Sequence, residues 1–191
     1  MTTAVLIVSI LTGLALAATC GCRIFLTMLG ACAAARYQLI PWQADFGWLS
    51  GDTALYCLAV AAMVEIIPGY VNRFNGRSDI LTLPLAIAAG ALLSTAVLPM
   101  EYPWLRWALG LIGGGACAGI VHVSTGMLLR LFAKIAPRSG TGRLATAKSI
   151  FALGGTLLSI FLPISAGIIA LFSVGWLGWR SYKKLVSLGK R

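Results

Sequence analysis

Leu85-Ala86-Ile87-Ala88-Ala89-Gly90-Ala91-Leu92-Leu93 has no polar side chain at any position. Neither the alternation of a half-buried strand nor the polar face of a surface helix can be read in it. It lies within a stretch from 80 to 100 that carries no charge, and residues 107–129 and 149–179 are likewise free of Lys, Arg, Asp and Glu. A bilayer core of about 30 Å takes roughly 20 apolar residues as helix. In hydrocarbon only helices and closed barrels satisfy their own backbone. A barrel strand would show about ten residues with one polar face, which this run lacks. The stretch therefore predicts a helix that spans a membrane. Composition extends that reading to the whole chain: of 191 residues 59% are hydrophobic and 10% charged, and mean hydropathy is +0.91. Too little polar surface remains to coat a water-soluble globule.

Six helices follow, giving an all-α integral membrane protein with a single transmembrane domain over residues 1–191. The first is expected from Val5 to Arg36, which at about 48 Å is too long for one straight crossing and must tilt or break. Gly21 beside Arg23 is the expected break. The second runs from Asp52 to Pro68 and the third from Leu81 to Leu98. The fourth, Trp104–Ala136, is again too long, with glycines at 110, 113, 114, 115 and 119. The fifth runs from Lys148 to Pro163, and the sixth from Ala166 to Trp179, before a basic tail over 181–191. Gly119, Pro68 and Pro163 are the other expected break points. Residues 2–19 superficially resemble a secretory signal ending near Cys20, but no Lys or Arg precedes them, so they read as a mature helix.

The net charge of +10 would suggest nucleic acid in a soluble protein; here it reads as the positive-inside bias, and no nucleic-acid partner is expected. With the N-terminus inside, Arg73, Arg77, Lys134, Arg138, Arg143, Lys148, Arg180, Lys183, Lys184, Lys190 and Arg191 all fall on the cytoplasmic face. Arg36 and Arg106 are left on the other, with Asp45, Asp52 and Glu101. This predicts a multi-pass protein of the inner (cytoplasmic) membrane with both termini cytoplasmic. Trp42, Trp48, Trp104, Trp107, Trp176, Trp179, Tyr37, Tyr102 and Tyr182 fall near helix ends, as interfacial anchors do.

The halves carry a weak internal likeness. At a spacing of 95, Ala54–Leu58 lies over Ser149–Leu153 and Pro68 over Pro163. At 98, Ala18, Gly21, Thr27 and Arg36 lie over Ala116, Gly119, Thr125 and Lys134. Two three-helix units, 5–98 and 104–180, would insert upside down relative to each other, with the first and fourth helices as a broken pair around a midplane site. Packing competes as an explanation of the glycines, since Gly110-xxx-Gly114 and Gly115-xxx-Gly119 let helices approach closely.

Ionisable residues within such helices are costly unless paired or hydrated, so Arg23, Glu65 and His122 are the candidate substrate-binding residues. Glu65 and His122 fall at similar depth, where the two could meet and pass a proton, or share a structural hydrogen bond. Arg23 could receive an anion, pair with Asp45 or Asp52, or reach to the interface. Arg130, near the inner end of the fourth helix, is expected to do the last. Five cysteines show no disulfide framework, and Cys20-Gly-Cys22 has no second pair, so no metal is expected. Arg138-Ser139-Gly140-Thr141-Gly142-Arg143 lacks the full phosphate-loop pattern and reads as a basic loop. No cofactor motif is present.

Gly21-Cys22-Arg23-Ile24-Phe25-Leu26, Val64-Glu65-Ile66-Ile67-Pro68-Gly69, Pro84-Leu85-Ala86 with Ala89-Gly90-Ala91-Leu92-Leu93, and Ala118-Gly119-Ile120-Val121-His122 resemble a bacterial membrane family known as domain of unknown function 4126, over about residues 8–170. The resemblance implies a multi-pass membrane protein and no established activity. Members often carry further acids after the second-helix glutamate and an acidic pair opening the fifth helix, where this chain has Ile66-Ile67 and Ala147-Lys148. The leading expectation is a transporter or channel for a small solute, ion or lipid-like molecule. A non-transporting accessory subunit, packed against other membrane subunits, a pigment-bearing complex or its own copies in the bilayer, is the alternative, with His122 a candidate ligand for a chlorin magnesium. No enzyme signature is found.

Overall fold

The computed structural model describes residues 3–40, 42–70, 78–135 and 140–188, and within these the side chains of all but 68–70, 78–81, 128–135, 140–145, 177–178 and 180–188. The described chain is helical throughout, with eight α-helices: α1 Thr3–Cys22, α2 Ile24–Arg36, α3 Asp52–Tyr70, α4 Ser78–Val97, α5 Pro103–Leu109, α6 Ala116–Ile135, α7 Gly140–Phe161 and α8 Pro163–Leu188. A 3-10 helix, Ala44–Ser50, precedes α3, and a π-helical segment, Gly110–Gly115, joins α5 to α6. Thr3–Cys22 and Pro103–Met127 are long and apolar enough to cross a membrane, as is the bent pair Ala44–Ser50 with Asp52–Ile67 if it counts as one span. Ile24–Arg36, Thr82–Val97, Thr146–Phe161 and Pro163–Trp176 are shorter apolar helices.

The centre of the bundle is α1, which touches α4, α6, α7 and α8. Its second half is buried on every side: Thr12, Gly13, Ala15, Leu16, Ala17, Ala18, Cys20 and Gly21 are all covered. A helix without a polar face belongs in such a place, and residues 12–21 of α1 lie in the core. Around it, small residues set the spacing. A Cβ on Gly90 would lie 2.5 Å from the Ala118 Cβ and 2.8 Å from the Gly114 carbonyl oxygen, so α4 meets the π-helical segment and α6 backbone to backbone. Three buried hydroxyls are met within their own helices: Thr12 donates to the Val8 carbonyl, Thr95 to Ala91 and Thr156 to Ala152, each at 2.7 Å.

The expected first helix is two helices that turn back on each other. The Gln43 amide donates to the Ala96 carbonyl at 3.0 Å, and Arg106 pairs with Asp45 at 2.5 Å, so the 40s, the end of α4 and the start of α5 share one end of the bundle. α1 begins near that end, since Gly13 lies against Ser94, and leads away from it, since Gly21 lies against Ala118 and Val121. Were α2 to continue onward, the seven residues from Arg36 to Gln43 could not return, because an extended chain covers at most about 3.6 Å per residue. Instead Gly30, past the break, lies against Thr156, while Thr19, before it, lies against the neighbouring Gly155. α1 and α2 thus form a V whose tip is Arg23, at φ −144° and ψ 113°.

Other boundaries also change. No break occurs at Gly119: it lies inside α6, and the expected fourth helix is continuous because the π-helical turn absorbs the glycines. α3 runs through Pro68 to Tyr70, so Pro68 is not a break either; one proline near a helix end removes few bonds. At Pro163 the chain does leave the helix for one residue, Leu162, and Pro163 opens α8, where its missing N–H costs nothing. Gly140, Thr141, Gly142 and Arg143, expected in a loop, begin α7; Arg138 lies outside the described residues, as do Arg73, Arg77, Lys190 and Arg191. Because of the V, Thr3 and Leu188 face opposite ends of the bundle rather than sharing one, α8 running alongside α1 with Gly167 against Leu11.

Candidate functional site at the helix break

A helix that stops inside a bundle leaves carbonyls behind it, and one that starts there leaves amides ahead of it. Members of both sets are met at the tip by side chains from other helices. Glu65 of α3 brings its carboxylate to the start of α2: Oε1 accepts from the Ile24 amide at 2.7 Å, and Oε2 accepts from Phe25 at 3.0 Å and Leu26 at 3.4 Å. On the other arm, His122 of α6 has Nδ1 3.1 Å from the Gly21 carbonyl and Nε2 3.0 Å from the Thr82 hydroxyl of α4. A carbonyl only accepts, so Nδ1 carries the proton, and in the neutral ring Thr82 donates to Nε2. Arg23, 5% exposed, turns its Nη1 to the Glu65 carbonyl at 2.7 Å.

Arg23, Glu65 and His122 all bear on one feature, and Glu65 and His122, expected at similar depth where the two could meet, contact opposite sides of it. Glu65 and His122 are joined through the backbone of the break, one holding each arm. Arg23 does not pair with Asp45 or Asp52: Asp45 goes to Arg106, and Asp52 to Arg36 in a close ion pair. Both ring nitrogens of His122 have protein partners, which argues against a ligated chlorin. Among the described residues no group of three His, Cys, Asp or Glu could hold a metal ion. The side chain of Arg130 lies outside the described residues.

An apolar groove of about 610 Å³, lined by Phe25, Tyr56, Cys57, Val60, Ala61 and Val64, reaches Glu65. Its walls offer hydrocarbon, and Glu65 is the ionisable group beside the break. Two residues were missed by the sequence reading. Thr82 gave no signal beyond its place on the face of α4 turned to α6. Arg106, buried with its guanidinium 5.6 Å from the Phe46 ring centre, was hidden among the aromatic residues of an apparent interfacial belt.

The fold and the break define an all-helical protein with helices fit to cross a membrane and an interrupted helix held by ionisable side chains. The chain belongs to the family described as "Domain of unknown function (DUF4126)", which it matches over residues 10–184. No curated protein and no solved structure matches it.

Proposed function

We propose that this is a multi-pass inner-membrane protein, not an enzyme, that passes a small solute, ion or lipid-like molecule at the break in its central helix. α1, α3, α4, α5 with α6, α7 and α8 cross the bilayer, and α2, about 20 Å long, is the short returning arm of the V. The observation that carries this reading is the tip itself. Non-helical backbone at membrane depth is kept where protein buries it or where it lines a path, and interrupted helices with ionisable partners are how membrane transporters build such paths. Glu65, Arg23 and His122 converge on this tip, and ionisable groups within spanning helices are costly and mark pathways for ions and solutes.

A second reading, an accessory subunit, draws on the outward apolar side chains of α7 and α8, among them Phe151, Phe161, Ile168, Ile169 and Phe172, all more than half exposed. Flux into proteoliposomes separates the two. Across a panel of cations, anions, amino acids and short-chain amphiphiles, the transport reading expects one class to enter, with Glu65→Gln and Arg23→Ala slowing it about tenfold or more, the effect of about 1.4 kcal/mol. No flux for any class, together with recovery of the chain in a larger membrane complex, would establish the accessory reading instead.

A further inference from the structure

One face of α3 is apolar and left uncovered by the bundle. Tyr56, Cys57, Val60 and Val64 recur at the three- and four-residue spacing that stacks side chains along a helix, and all four are exposed. With Ala61 and with Phe25 of α2 they line the groove of about 610 Å³. α2 and α3 run antiparallel here, since the Glu65 carboxylate holds the Ile24 and Phe25 amides at one end of the pair and Arg36 joins Asp52 at the other. Tyr56 stands one turn past Asp52 on the same face of α3. The groove therefore starts beside the Arg36–Asp52 pair and runs inward for about 12 Å to Val64, at about 1.5 Å per residue. That is most of one leaflet of a hydrocarbon core about 30 Å thick.

We propose that this groove holds one acyl chain of an outer-leaflet phospholipid whose headgroup carries both a phosphate and an ammonium, seated on Arg36 and Asp52. The proposal rests on the bilayer placement of α2 and α3 given above and not on any flux. Arg36 meets Asp52 through Nη1 and Oδ1 alone, and the two side chains are 46% and 68% exposed, so both reach the headgroup level with groups to spare. The other guanidinium N–H groups suit phosphate oxygens, and the second carboxylate oxygen suits an ammonium. A headgroup with a phosphate and no ammonium would set a second negative charge against Asp52. Tyr56 brings a phenol to the level where chain meets headgroup, as interfacial tyrosines do. A protein helix laid in the groove would bury the ion pair at a desolvation cost, whereas a zwitterionic headgroup brings charges that match it.

Native mass spectrometry of the full chain, released from detergent micelles, tests this. The chain is first shown to stay in carbonate-washed membranes, so that a failed lipid titration counts against the groove and not against the bilayer placement. Phosphatidylethanolamine and phosphatidylglycerol with the same acyl chains are then titrated in turn. The unaltered chain should bind a single phosphatidylethanolamine about tenfold or more tightly than phosphatidylglycerol. Val60→Trp, at a side chain 62% exposed, fills the groove without disturbing the core and should weaken that binding about tenfold or more. Leu157→Trp, on the exposed face of α7, should leave it unchanged. Asp52→Asn removes the partner of the ammonium and should abolish the preference between the two lipids. Equal affinity for both lipids in the unaltered chain would overturn the proposal, and so would binding that Val60→Trp leaves intact or a second copy of the chain found in place of the lipid. If a variant does not fold, the lipid preference of the unaltered chain decides.

Discussion

Glu65 does from a neighbouring helix what a Ser or Asp at the N-cap does locally, and it does so for three amides at once. Removing it strands those donors in a place with little water. Glu65→Ala should therefore cost about 2–3 kcal/mol, the range for hydrogen bonds to a charged group, read as a lower unfolding midpoint in detergent. Glu65→Gln, which keeps one acceptor oxygen, should lose less. His122→Ala should cost about 1–2 kcal/mol through the Gly21 carbonyl and the Thr82 hydroxyl. That these residues stand apart from their surroundings was legible in the sequence, since charge inside an apolar run is conspicuous. That they converge on one backbone break was not, because the partners of Glu65 are main-chain amides, which every sequence has.

At the scale of elements, glycine content signalled close packing, and it pointed to an interruption beside Gly21, where the helix stops, and to one at Gly119, where it does not. Gly21 permits the tip: a Cβ there would lie 2.6 Å from the Ala118 carbonyl oxygen and 2.7 Å from the Val121 Cβ, so α1 rests on α6 through bare backbone. Gly21→Ala should destabilise by about 1–3 kcal/mol through overpacking. Gly154, with nothing within 4 Å of its would-be Cβ, is the control, and Gly154→Ala should be neutral or gain up to about 1 kcal/mol from helix propensity. Equal effects at the two sites, by thermal unfolding, would refute the contact at the tip. The positions of α3 and α4 and the start of α8 were readable to within a few residues because long apolar runs and flanking Asp52, Pro99 and Pro163 bound them, but α8 runs on to Leu188, through most of the stretch expected as a basic tail after Trp179. Two features were not readable. The π-helical turn depends on the fit of Gly110–Gly115 to α4, and the reversal at Arg23 has no proline and only one nearby glycine to announce it.

At the scale of the whole molecule, the charge rule placed the basic connections but could not speak for the first arm, because no Lys or Arg occurs before Arg23. The reversal at the tip adds one turn to the path, and the proposed topology accordingly puts the start of α1 on the face opposite the basic tail. The aromatic residues at that first face fit the same placement: Tyr37, Trp48, Tyr102 and Trp104 are all more than 60% exposed, beside the Asp45–Arg106 and Arg36–Asp52 pairs. The most direct test is the sidedness of single cysteines introduced at Thr3, Gln38 and Lys184 in a chain whose own cysteines are replaced, probed with a membrane-impermeant maleimide on intact spheroplasts and on inverted vesicles. A folded-back first helix predicts that Thr3 and Gln38 react from the periplasmic side and Lys184 only from the cytoplasmic side. Reaction of Thr3 and Lys184 from the same side would contradict it.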